Sequence, residues 1–102
     1  MLQFNGTIKL ADFGLSKHSP KDLNTTFCGT PDYFAPEMLT DEKYSKCVDI
    51  WAIGILAFEL LTGLPPFIED EVELTYENIT NGHIDFPEYM SQSSVDFIET
   101  IL

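Results

Sequence analysis

The residues best suited to chemistry are an Asp12-Phe13-Gly14 triplet, a Thr25-Thr26 pair, an Ala35-Pro36-Glu37 triplet and a lone carboxylate, Glu59, set in an apolar run. Carboxylates supply oxygen to hard cations, yet each triplet alone is equally at home in an ordinary turn. Glu59 carries more information. A carboxylate taken into an apolar surrounding is costly unless something compensates it. It therefore either meets a partner, such as Lys43 or Lys46, or points out to solvent. Cys28 and Cys47 form no Cys-x-x-Cys and have no ligand-like His nearby. That spacing suits neither a zinc site nor a disulfide framework, so a reducing compartment, cytoplasmic or nuclear, is the expectation. His18 and His83 read as surface residues. The Asn-x-Thr triplets at Asn5, Asn24 and Asn78 read as chance, since no basic start and apolar run opens the chain.

These residues need elements to position them. Asn5-Gly6 lies between two short runs, residues 1–4 and 7–10, and both types tolerate the positive φ of a two-residue hairpin turn. The expectation is a small hairpin of two antiparallel strands leading to Asp12. Residues 11–36 hold no period and are punctuated by Gly14, Gly29, Pro31 and Pro36. An irregular stretch of that length is usually functional. Residues 36–39 read as one helical turn with Pro at its first position. Ser45 is a plausible N-cap for the next helix, with Asp49 early in it. Between residues 48 and 61 apolar side chains fall on every side, so this helix must be covered all round by other protein. A shorter amphipathic helix is expected over residues 71–81 on the stripe Val72, Tyr76, Ile79, closed by Asn81-Gly82. Residues 83–90 read as extended. Ser93 or Ser94 then caps a last helix on Val95, Ile98 and Ile101-Leu102.

Composition bounds the partners. The 102 residues carry 17 Asp plus Glu against 5 Lys plus Arg, a formal charge of −12. No continuous cationic stripe can be built from that, which argues against nucleic acid and against an anionic membrane surface. A partner presenting basic side chains suits it better. At 44% hydrophobic and 13% aromatic the chain is globular. The most apolar stretch, residues 50–68, is interrupted by Glu59 and ended by Gly63 and Pro65-Pro66, so it reads as a core helix and not a bilayer span.

Taken jointly, Asp12-Phe13-Gly14 and Ala35-Pro36-Glu37, separated by 20 residues with threonines between and followed by Asp49-Ile50-Trp51-Ala52-Ile53-Gly54, resemble the eukaryotic protein kinase family. The resemblance covers essentially the whole chain. The run Cys28-Gly29-Thr30-Pro31-Asp32-Tyr33-Phe34-Ala35-Pro36-Glu37 is similar to the serine/threonine branch. The Thr25-to-Thr30 segment is similar to the cyclic-nucleotide-dependent and aurora groups, and His18-Ser19-Pro20 with Ile84-Asp85-Phe86-Pro87 leans toward aurora. The fold implied is mainly α with a small β-hairpin, part of a kinase C-terminal lobe. It would hold the hairpin and Asp-Phe-Gly over residues 1–14, an activation segment over 12–37 and helices over 45–102.

The resemblance also implies roles. Phosphoryl transfer is catalysed mainly by positioning and charge neutralisation. Asp12 would hold Mg²⁺ against ATP, with Phe13 packed beneath and Gly14 giving the segment freedom to flip. Thr26, or its neighbour Thr25, matches the activation-segment phosphosite, filled by an upstream kinase or by autophosphorylation. A phosphate there adds roughly −1.5 to −2 charge that basic groups could order. Thr30 matches the residue that supports the catalytic Asp. Phe27, Pro31 and Phe34 match the pocket for the substrate residue after the phosphorylated one, although packing of the loop explains them equally. Glu59 matches an acid that reads a substrate Arg, which agrees with a basic protein substrate. Glu37 and Asp49 match structural positions, pairing with a later Arg and with catalytic-loop N–H groups.

The departures are absences. The chain has no Gly-rich nucleotide loop, no strand lysine with its Glu and no His-Arg-Asp loop, so Met1 reads as an internal methionine of a longer chain. Two readings follow. One is a piece of an active serine/threonine kinase, itself inactive when isolated. The other is a non-catalytic, pseudokinase-like module that binds protein partners.

Overall fold

The computed structural model describes residues 1–16, 30–40 and 43–102. Thr25, Thr26, Phe27 and Cys28, with most of the expected activation segment, lie outside them. The described chain is mostly helical. Four α-helices follow a short 3-10 turn over Pro31–Tyr33: α1 Pro36–Leu39, α2 Cys47–Thr62, α3 Val72–Asn81 and α4 Gln92–Ile101. No helix among the described residues is long and apolar enough to cross a membrane.

Among the described residues the expected hairpin strands reduce to a single antiparallel bridge, Leu2 to Ile8. The turn is also one residue longer than the Asn5-Gly6 pair predicts. Gln3 N–H donates to Thr7 O at 2.9 Å and Gly6 N–H to Gln3 O at 2.9 Å, which makes Phe4-Asn5-Gly6 the connection. Only Gly6 takes positive φ there, at +81°. Asn5 keeps negative φ and instead accepts the Thr7 N–H on Oδ1 at 3.0 Å. With residues 1–16 all exposed, no packed face extends the pairing.

The N-cap of α2 is Lys46, one residue after the Ser45 expected, and it makes no side-chain cap. Ser45 lies just outside the helix, where its Oγ accepts the Cys47 N–H at 3.2 Å and its carbonyl the Val48 N–H. The end of α2 is Gly63 at φ +94°, whose N–H closes on Glu59 O. A left-handed residue at this position is the usual way to satisfy the last carbonyls. One face of α2, through Trp51, Gly54, Ile55 and Phe58, is buried. Trp51 stacks on Phe67 with centroids 5.9 Å apart, and Ala35, Ile55 and Ile79 complete the core. The opposite face is open: Ile50, Ile53, Leu56, Leu60 and Leu61 are exposed, so the all-round cover that the apolar pattern demands is not supplied by these residues.

The α2 and α4 helices approach closely at Gly54. A β-carbon there would lie 2.6 Å from Leu102 Cδ2 and 2.8 Å from Ile101 Cγ2. In α4 the cap is Ser91, two or three residues before the serines expected, with its side chain accepting from Ser94 N at 3.2 Å. The turn closed by Met90 N–H on Pro87 O brings the chain in at that point. In α3 the buried stripe is Thr75 and Ile79, while Val72 is exposed. Thr75 replaces Val72 because residues 69–71 fold back over it: its Oγ1 accepts the Glu69 N–H at 3.0 Å.

Candidate functional site

Asp12 is the one non-glycine residue among those described with positive φ, at +62°. That region costs an L-residue roughly 1–2 kcal/mol, and Asp is among the few types that visit it routinely. Just after it, Ser16 folds back on Phe13, whose carbonyl accepts both the Ser16 N–H at 3.0 Å and the Ser16 hydroxyl at 2.6 Å. The Asp12 carboxylate stays beside Gly14, 3.4 Å from where a β-carbon on that glycine would stand. Phe13 does not pack beneath this turn as expected; it is 65% exposed, and its neighbours Leu10 and Leu15 are exposed as well. Residues 1–16 bury nothing of their own, and so offer Phe13 no cover.

No group of three or more His, Cys, Asp or Glu able to hold a metal gathers among the described residues. A Mg²⁺ held by one or two carboxylates, water and substrate phosphates needs no such cage. A single exposed aspartate is compatible with that ion as one of its ligands.

A second constellation is built where the 3-10 turn meets α2. Pro31 opens the turn after Thr30, and the Tyr33 N–H closes it on Thr30 O at 3.1 Å. The turn packs on α2 and α3, which aims the Tyr33 hydroxyl at α2, where it donates to Glu59 Oε2. Both side chains are half-buried. Burial, first, and then the bonded, negatively charged Glu59, with Asp32 adding to it, push the Tyr33 phenol up to about 12. Among the described residues neither Lys43 nor Lys46 forms an ion pair with Glu59. The compensation that the lone carboxylate required is thus a phenol, 26 residues away in sequence.

The other expected site residues divide. Phe34 is buried and stacks on Tyr76 with centroids 6.2 Å apart, so its ring packs the segment against α3. Pro31 is half-buried and Thr30 exposed. Ala35 is fully buried, seating Pro36 and a half-buried Glu37 at the start of α1. Asp49 is exposed in the first turn of α2. Phe27 and both candidate phosphosites lie outside the described residues. Sequence reasoning missed Tyr33 as the partner of Glu59. The available hint was a buried-type carboxylate in a chain with only 5 Lys plus Arg to neutralise it. It also missed Trp51, whose buried indole N–H has no hydrogen-bond partner among the described residues.

The chain is 45% identical over 103 residues to an Aurora kinase of Candida glabrata, covering 100% of this chain and 29% of that protein. It is 41% identical over 102 residues to the cAMP-dependent protein kinase type 3 of Saccharomyces cerevisiae, covering 100% and 25%. Against the serine/threonine-protein kinase N2 of Danio rerio it is 40% identical over 104 residues, covering 100% and 11%. It therefore spans less than a third of the curated relatives it matches. The family described as protein kinase domain matches residues 1–102. With that match running from the first residue to the last, the chain belongs to the protein kinase family.

Proposed function

We propose that the protein carrying this chain is a serine/threonine kinase that transfers the ATP γ-phosphate to hydroxyls of basic protein substrates. The observation that carries the reading is Asp12: an exposed carboxylate at positive φ directly before Phe13-Gly14, in a chain that matches the kinase family throughout. Magnesium bound with ATP would supply charge neutralisation at the phosphates as they transfer. Asp12 would hold the ion through its carboxylate. Thr30 would support the catalytic Asp, and phosphorylation at Thr26 or Thr25 would order the activation segment.

Substrate choice rests on Glu59. Its Oε2 is occupied by the Tyr33 hydroxyl, and among the described residues no lysine neutralises it. A carboxylate so held, in a chain of net charge −12, favours a guanidinium or ammonium from an incoming peptide. The 102 residues alone should be inactive, since one carboxylate cannot position a nucleotide.

The test is phosphate transfer by the full-length protein from labelled Mg²⁺-ATP to a basic peptide and to its acidic counterpart. The expected result is labelling of the basic peptide, lost on Asp12→Asn, which preserves a residue type tolerant of positive φ. Absence of transfer with metal-nucleotide binding intact would instead support the non-catalytic, partner-binding reading.

A further inference from the structure

The sequence holds two Asn-Gly pairs, Asn5-Gly6 and Asn81-Gly82, and the structure treats them differently. We propose that Asn5 is a site of spontaneous succinimide formation and isoaspartate conversion, and that Asn81 is sheltered from it. In this reaction the Gly6 backbone nitrogen, having lost its proton to water, bonds to Asn5 Cγ. The side-chain nitrogen leaves as ammonia, taking up a proton. Water then opens the five-membered imide at either carbonyl, giving Asp or isoAsp at position 5. No oxidant or reductant is needed.

Three features favour Asn5. Its Oδ1 accepts the Thr7 N–H at 3.0 Å, which folds the side-chain amide over the following peptide and draws electron density from Cγ. Gly6 has no side chain to hinder its nitrogen, and even a β-carbon there would find nothing within 4 Å. Residues 1–10 are all exposed, with Leu2 to Ile8 the single antiparallel bridge among them, so the Gly6 N–H can leave Gln3 O without unpacking anything.

Asn81 differs on the last point. The Gly82 N–H closes α3 on Asn78 O at 2.9 Å. Freeing it means unwinding the last turn of a helix anchored by the fully buried Ile79. Each attacking N–H carries one backbone bond of 2.9 Å, so the difference lies in the unwinding: at least one further helical bond must break to free Gly82, which corresponds to about a tenfold slower reaction. The product at position 5 matters because isoAsp inserts a methylene into the main chain. That breaks the Gly6-to-Gln3 bond and the pairing that lead the chain toward Asp12.

The experiment incubates the purified full-length protein in mildly alkaline buffer at body temperature and maps peptides by mass spectrometry. Isoaspartyl methyltransferase labelling identifies the isoAsp product. The expected result is a one-mass-unit gain with isoAsp at position 5, about tenfold faster than at position 81, and abolished by Asn5→Gln, whose longer side chain would need a six-membered ring. In urea the two rates should converge. Equal rates in the folded protein, a faster reaction at Asn81, or no isoAsp at position 5 would each overturn the proposal.

Discussion

The hydrogen bond from Tyr33 to Glu59 lends itself to a double-mutant cycle. Tyr33→Phe removes the donor and leaves a half-buried carboxylate short of one partner, while Glu59→Gln keeps the shape and removes the charge. A hydrogen bond to an ionised group contributes roughly 1.5–3 kcal/mol. Both residues keep part of their surface in water, which lowers the expected coupling to about 1–2 kcal/mol. Urea unfolding of the full-length protein and its three variants measures it. The phenol gives an independent reading by ultraviolet titration. A tyrosine raised from 10.0 to about 12 stays neutral in the fold over a range where the unfolded chain ionises. Its contribution is therefore fully present below pH 10 and is lost as pH climbs through about 12. In Glu59→Gln the phenol should fall back toward 10 without reaching it, because burial is the largest cause of the shift. Additive single variants, together with a phenol that ignores the substitution, would refute the pairing.

Other perturbations have equally definite outcomes. Gly54→Ala gains about 1 kcal/mol of helix propensity but drives a β-carbon to 2.6 and 2.8 Å from Leu102 and Ile101. Overpacking costs about 1–3 kcal/mol, so a net loss near 1 kcal/mol is expected as a lowered urea midpoint; an unchanged or raised midpoint means the two helices are not in contact there. Ser91→Ala should cost about 1 kcal/mol and Ser91→Gly only a few tenths, by the same measurement. The isolated 102-residue chain, with Ile50, Ile53, Leu56, Leu60 and Leu61 in the open, should self-associate on size-exclusion chromatography and bind a hydrophobic dye. A monomer with sharp, dispersed amide resonances contradicts that.

The helices were legible because their signals are local. The apolar run over residues 48–61, Gly63 and Gly82 after the last turns, and Pro36 at a first turn each act within a few residues. What escaped depends on parts of the chain that meet at a distance. Three serines at 91, 93 and 94 are equivalent capping acceptors by type, and the turn over residues 87–90 selects the first. Val72 matches the helical period, yet the fold-back of residues 69–71 buries Thr75 in its place. Asn5-Gly6 announces a turn but not its length. At the site, Asp12, Glu37 and Glu59 stand out by type and spacing. That Tyr33 satisfies Glu59, and that Phe34 sinks against Tyr76, could only follow from the packing of the 3-10 turn between α2 and α3.

The backbone at Asp12 narrows what evolution can place there. Glutamate would keep the negative charge but resist the left-handed twist, whereas asparagine or glycine would accept the twist and discard the charge. No single replacement among the standard twenty keeps both. The position is therefore constrained twice over, by conformation and by ionisation. Drift there cannot be gradual: any lineage that loses this residue loses one of the two properties in a single step.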